Sequence, residues 1–110
     1  MSFAAPAHAD EWDFVLINAT PKAIASVEVA PSGTADWQPN RLDPELKQLS
    51  GTKPGARVTV HFERSTACKY DVRAAFADGS SATWQGINIC DNSYVTVRLD
   101  EAGTPRFQAN

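Results

Sequence analysis

Few residues in this chain could do chemistry. They are Cys68 and Cys90, His61, and four side chains in polar segments, Asp36, Trp37, Asp43 and Asp78. The cysteines bound the stretch CKYDVRAAFADGSSATWQGINIC, with Asp78-Gly79 near its middle. A zinc centre takes about four nitrogen or sulfur ligands, whereas beyond residue 9 the chain has two Cys and one His. A redox pair would normally be C-x-x-C, which is absent. That leaves a structural disulfide or a free buried pair. Asp-Gly between alternating runs signals a hairpin. With Asp78-Gly79-Ser80 as the loop, Ala77 faces Ser81 and, further along the ladder, Cys68 faces Cys90. Directly opposed residues lie about 4.5–5.5 Å apart at Cα, within disulfide range. This register sends Ile87 and Ile89 to the outer face. A bulge at Gly86 would turn both inward and shift Cys90 by one position. The expectation is a disulfide that braces the hairpin.

Nucleophilic catalysis needs a Ser or Cys beside a base. His61 sits at an outward position of an alternating strand, and no nucleophile can be assigned to it. Paired carboxylates could serve glycoside hydrolysis, but the acidic residues fall mostly in turns, where Asp serves local hydrogen bonding. No catalytic residue, metal ligand set or cofactor is assigned. If consecutive strands alternate in direction, the segments 31–55 and 78–80 share one end of the molecule. That end would gather Asp36, Trp37, Asp43 and Asp78 as a ligand or ion site. Calcium takes six to eight oxygens, and sandwich loops can supply them. Trp37 is expected either as an exposed ligand platform or folded down as a plug over that end.

These side chains must be positioned by strands. Trp12–Ile17 reads as a central strand, and Ile24–Ala30, Arg57–Glu63, Cys68–Ala77, Ala82–Ile89 and Tyr94–Leu99 alternate or are rich in β-formers. The expected core is Phe14, Leu16, Val27, Val29, Val58, Val60, Phe62, Tyr70, Val72, Phe76, Trp84, Val95 and Val97. The segment 31–55 is long, polar and Pro-rich. Within it Asp43-Pro44 could start one short helical turn over Asp43–Leu49, and Lys53-Pro54-Gly55 forms a turn. The fold class is all-β, an antiparallel six- to seven-stranded sandwich, immunoglobulin-like or C2-like, with that helical turn in its long loop.

A chain of 110 residues forms one domain with one modest core. The net charge is −3 and the ten Lys and Arg are scattered, so a nucleic-acid footprint is missing. No apolar stretch reaches the ~18 residues of a membrane span. Ala7-His8-Ala9 fits the cleavage rule of secretory leaders. Residues 1–9 are therefore read as a leader remnant or disordered tail, and 10–110 as the domain. The compartment expected is periplasmic or secreted, where disulfides persist.

One resemblance covers nearly all of residues 10–110. It runs through Phe14-Val15-Leu16-Ile17-Asn18-Ala19-Thr20, Val27-Glu28-Val29-Ala30-Pro31-Ser32, Asp36-Trp37, Pro54-Gly55, Val58-Thr59-Val60-His61-Phe62, Cys68-Lys69-Tyr70-Asp71-Val72-Arg73, Asp78-Gly79 and Ile87-Asn88-Ile89-Cys90. In this order the motifs resemble small exported proteobacterial proteins of uncharacterised function. The resemblance implies a single β-sandwich and specifies no activity. Some members carry the label argininosuccinate lyase; that enzyme is a large helical tetramer, which neither the length nor the periodicity here fits. The family has Gly after Asn-x-Thr and after the loop Trp, where this chain has Pro21 and Gln38. The functional expectation is an exported, non-enzymatic binding or interaction module. It would be monomeric, with an unknown protein or small-molecule partner. The alternative is a calcium- or ligand-dependent enzyme or sensor built around Asp36, Trp37, Asp43 and Asp78. A third, weaker reading is assembly through an exposed strand edge.

Overall fold

Strict two-residue alternation of apolar side chains builds two sheets that share one core. The computed structural model describes residues 11–39, 52–63 and 66–110. Its strands are β1 (Glu11–Asn18), β2 (Ile24–Pro31), β3 (Gln38–Pro39), β4 (Arg57–Glu63), β5 (Lys69–Phe76), β6 (Ser81–Asn88), β7 (Tyr94–Leu99) and β8 (Pro105–Ala109). The first sheet has the order β4-β1-β7-β8 and the second β3-β2-β5-β6. They pack as a sandwich. β1 and β7 are parallel, and the other neighbours are antiparallel.

Against the expected six to seven strands, the described residues hold eight. The two strands without a clear sequence signal are β3 and β8, both at sheet edges. β3 is a two-residue piece ending in Pro39, and β8 begins with Pro105. The helical turn expected at Asp43–Leu49 lies outside the described residues, as does Asp43. The turn at Lys53 is formed: Ala56 N–H donates to the Lys53 carbonyl at 2.9 Å, with Gly55 at φ +87°.

The core contains the expected residues except Val58, which is half-buried at its margin. Ile24, Ile87 and Ile89 join it. Two contacts lock the sheets together. Phe62 of β4 meets Tyr70 of β5 edge-on at 5.0 Å between ring centroids, and Phe14 meets Phe62 at 5.9 Å. Trp84 of β6 is buried, and its Nε1–H donates to the Arg98 carbonyl at 3.1 Å. The ring thus supplies apolar area while its one polar atom is satisfied.

The β5–β6 hairpin closes one residue earlier than expected. Phe76 N–H bonds the Ser80 carbonyl at 2.8 Å and Gly79 N–H bonds the Phe76 carbonyl at 3.0 Å. The loop is therefore Ala77-Asp78-Gly79, with Gly79 at φ +91°, the geometry of a three-residue hairpin whose last loop residue is left-handed. Val72 then faces Trp84, and the register breaks before Tyr70 faces Ile87. Gly86 sits in that break at φ +71°. The bulge turns Ile87 and Ile89 inward, and both are buried.

Asp71, which strand parity puts on the face opposite the core residues Tyr70 and Val72, is buried. Its Oδ1 accepts the Gly86 N–H at 3.0 Å and its Oδ2 the Gly33 N–H at 3.4 Å. A bulge frees a backbone donor from the ladder, and a buried donor needs an acceptor. Asp71 supplies it. Beyond the bulge Ile89 N–H bonds the Cys68 carbonyl at 2.9 Å. Cys68 thus faces Ile89, and the disulfide runs diagonally to Cys90, with the Cα atoms 5.1 Å apart.

This bridge spans 22 residues, and closing a loop of that size stabilises a fold by roughly 3 kcal/mol. The Cys68→Ser/Cys90→Ser variant should lose about that much unfolding free energy in urea. The native protein should show no thiol to Ellman reagent until it is reduced. An unchanged urea midpoint would mean that the bridge contributes nothing.

Candidate binding surfaces

Of the candidate site residues Asp36, Trp37 and Asp78 are described, and Asp36 and Asp78 do not converge. β2 starts beside Phe76 and ends beside Tyr70. Asp78 lies just past Phe76, where its Oδ2 meets Lys22 Nζ at 3.1 Å and Ala77 N–H bonds the Ala23 carbonyl at 2.9 Å. Asp36 lies beyond the other end of β2, in the connection that leaves Pro31; there Ser32 N–H bonds the Lys69 carbonyl at 2.9 Å. An eight-residue strand separates them, roughly 25 Å of rise. The expected sorting of loops fails because the polar segment is not a loop at one end. It carries β3 back along β2 and re-emerges at Thr52, whose N–H bonds the Ile24 carbonyl at 2.8 Å. Thr52 therefore lies at the opposite end of β2 from Pro31. Pro54-Gly55 and Asp78 therefore share an end with the Ala19–Lys22 loop.

Trp37 is neither a plug over an end nor a free platform. Its ring lies over Arg73 on the outer face of the second sheet, with the guanidinium carbon 4.3 Å from the ring centroid. Arg73 is held from the other side: its Nε and Nη2 both donate to Glu28 Oε1, at 2.9 and 2.7 Å. Glu28 and Arg73 are directly opposed on β2 and β5, so the register itself pairs them. All three side chains stay partly exposed. Gln38, next in the chain, reaches the other sheet. Its amide donates to the Glu63 carbonyl at 3.1 Å and accepts the Glu63 N–H at 2.9 Å, copying the two bonds of a strand neighbour.

Asp78 is a turn carboxylate. Its Oδ1 accepts the Ser80 hydroxyl at 2.5 Å and the Ser80 N–H at 2.9 Å. These bonds, the hydroxyl first, together with Lys22 hold its pKa down at about 2, from the ordinary 3.8. Asp100 is lowered in the same manner, chiefly by the Thr104 N–H, with the Ala102 N–H and Arg106 adding to it. His61 is outward, as expected, and its Nδ1 lies 3.5 Å from Asp13 Oδ2, its cross-strand partner.

The buried polar residues serve the scaffold. Asn18 Nδ2 donates to the Lys22 and Thr52 carbonyls at 2.8 and 2.9 Å. Its Oδ1 accepts both the N–H and the hydroxyl of Thr20, at 3.0 and 2.6 Å. This is the physical content of the Asn-x-Thr motif: it ties the β1–β2 corner to the start of the following strand pair. Among the described residues no buried side-chain nitrogen or oxygen lacks a partner, and no three His, Cys, Asp or Glu side chains come together to hold a metal. No helix among them is long and apolar enough to cross a membrane.

No family model matches the chain, and no curated protein matches it. Among solved structures, the NMR structure of a protein from Eubacterium rectale is similar, with a TM-score of 0.61 over 96% of this chain and 94% of that one. At 15% identity the likeness is one of fold.

The lowered carboxylates fix the sign of an acid dependence. The folded state binds fewer protons than the unfolded state between pH 3.8 and about 2, so stability is complete above that window and falls as pH drops through it. An NMR titration should place the Asp78 carboxyl midpoint near 2, and Asp78→Asn should remove its share of the acid loss; a midpoint at 3.8 refutes the turn assignment. Trp37→Ala should cost about 1 kcal/mol in urea, the size of a partly exposed cation–π contact. A loss of several kcal/mol would restore Trp37 to the role of a core plug.

Proposed function

We propose that this chain is an exported, non-enzymatic binding module whose recognition face is the outer surface of the second sheet around Trp37, Arg73 and Glu28. The observation that carries this reading is the stack itself. Glu28 fixes Arg73 and Arg73 underlies Trp37, so an aromatic ring and a guanidinium are preassembled on an exposed sheet face. Rigid aromatic and Arg side chains give binding energy at low ordering cost. The inner polar groups support the same reading from the other side, because Asn18, Thr20 and Asp71 are committed to backbone partners.

The disulfide supports export to the periplasm or beyond, since such bonds persist in oxidising compartments. The resemblance to small exported proteobacterial proteins agrees with this. The partner is a protein or small molecule rather than nucleic acid, given a net charge of −3. A calcium site or enzyme centre spanning Asp36 and Asp78 is disfavoured by the strand's length that separates them.

The test has two arms. Fractionation of source cells should recover the protein oxidised and outside the cytosol; a reduced cytosolic pool overturns export. Oxidised protein immobilised against that extracytoplasmic fraction should retain a partner that Trp37→Ala and Arg73→Ala both lose. Equal retention by the two variants removes the proposed face.

A further inference from the structure

A strand at a sheet edge exposes unpaired backbone groups unless something covers them. Among the described strands, three of the four sheet edges carry a device. β3 has two residues and ends in Pro39. β4 has its Glu63 groups taken by the Gln38 amide. β6 is broken by the bulge at Gly86. β8 runs unbroken along β7 from Pro105 to Ala109, and no described residue pairs with its far side.

The hydrogen-bond phase of β8 follows from its ends. Tyr94 and Asn110 exchange backbone bonds at 3.0 and 2.8 Å, and Asp100 N–H bonds the Thr104 carbonyl at 3.0 Å. In an antiparallel ladder such pairs recur every second residue. Arg106 and Gln108 therefore face β7. The N–H groups of Phe107 and Ala109, and the carbonyls of Pro105, Phe107 and Ala109, point to the open edge. Among the described residues Phe107 is one of two large hydrophobic side chains left exposed, at 38%.

We propose that β8 pairs antiparallel with β8 of a second copy of this chain across a two-fold axis at Phe107. In this register Phe107 exchanges two backbone bonds with Phe107 of the second copy. Ala109 N–H of each copy meets the Pro105 carbonyl of the other. Charge selects the register. Arg98 and Arg106 are already directly opposed within one copy, and like charges so placed repel. An axis at Arg106 would line up four arginines across the joined sheets. The axis at Phe107 instead puts Arg106 opposite Gln108 of the second copy, and behind it Thr96, the cross-strand partner of Gln108. It also pairs all five residues of β8 with one another, whereas an axis at Gln108 pairs only Phe107, Gln108 and Ala109 within the strand. A five-residue strand buries well under the ~1,000 Å² of a tight complex. The dimer is therefore weak and forms at high protein concentration.

Sedimentation velocity on the full oxidised chain over a dilution series tests this. Wild type should pass from dimer to monomer. Gln108→Arg should weaken the dimer about five-fold and Gln108→Glu should tighten it about five-fold, through the two symmetric contacts to Arg106. Phe107→Pro, which deletes the central donor, should be monomeric throughout; should it fail to fold, the two Gln108 variants decide. A wild-type protein that stays monomeric at its highest concentration, or a dimer that ignores the charge at position 108, overturns the proposal.

Discussion

The register break at Gly86 is the constraint on which the rest of the hairpin, and much of the second sheet, depends. Without it, the phase set at the Ala77–Gly79 turn would point Ile87 and Ile89 at solvent. Inserting one residue brings both into the core, a gain of roughly 1.5–3 kcal/mol for each side chain buried. The cost is a backbone N–H with no ladder partner, and Asp71 meets it with a buried carboxylate. The same carboxylate reaches Gly33, so the bulge also anchors the start of the connection that follows β2. The disulfide lies beyond the break. The turn phase alone would set Cys68 opposite Asn88; the extra residue brings it opposite Ile89, one position from Cys90, and the bridge is therefore diagonal.

How much of this was legible follows from what each strand faces. β1, β2, β4, β5, β6 and β7 have one face on the core, and their apolar residues alternate for that reason. β3 and β8 lie at the margins, where little core is available to impose a pattern, and their prolines argue against strand in a sequence. Asp78-Gly79 signalled the turn, but a turn signal does not say which flanking residue closes it. The closing pair moved by one residue on each side, which preserved the faces and changed the partners. Asp71 was read as outward because parity put it there. Its burial depends on a donor created fifteen residues away in sequence, and no local pattern carries that information.

The candidate site shows a different limit. Grouping Asp36 and Trp37 with Asp78 required knowing whether the segment 31–55 returns to the end it left. That depends on β3, a two-residue strand, because one more traverse reverses the direction of everything that follows. What the sequence could not show at Trp37 was its neighbour. Arg73 and Glu28 are forty-five residues apart, and only the β2–β5 register sets them opposite each other and beneath the ring.

Gln38 makes the two lateral sides of the sandwich differ. A Gly at this position would have no side chain to bond Glu63. A primary amide carries one donor and one acceptor in nearly the geometry of a peptide unit. It can therefore complete an edge strand without adding backbone, and here it does so between the two sheets. The side where β3 and β4 meet is thus closed by a side chain. On the opposite side Trp84 of β6 donates to the Arg98 carbonyl of β7, and among the described residues no side-chain amide closes the rim between β6 and β8. The difference between the sides is one of hydrogen-bond supply, and it leaves β8 as the edge with donors and acceptors to spare.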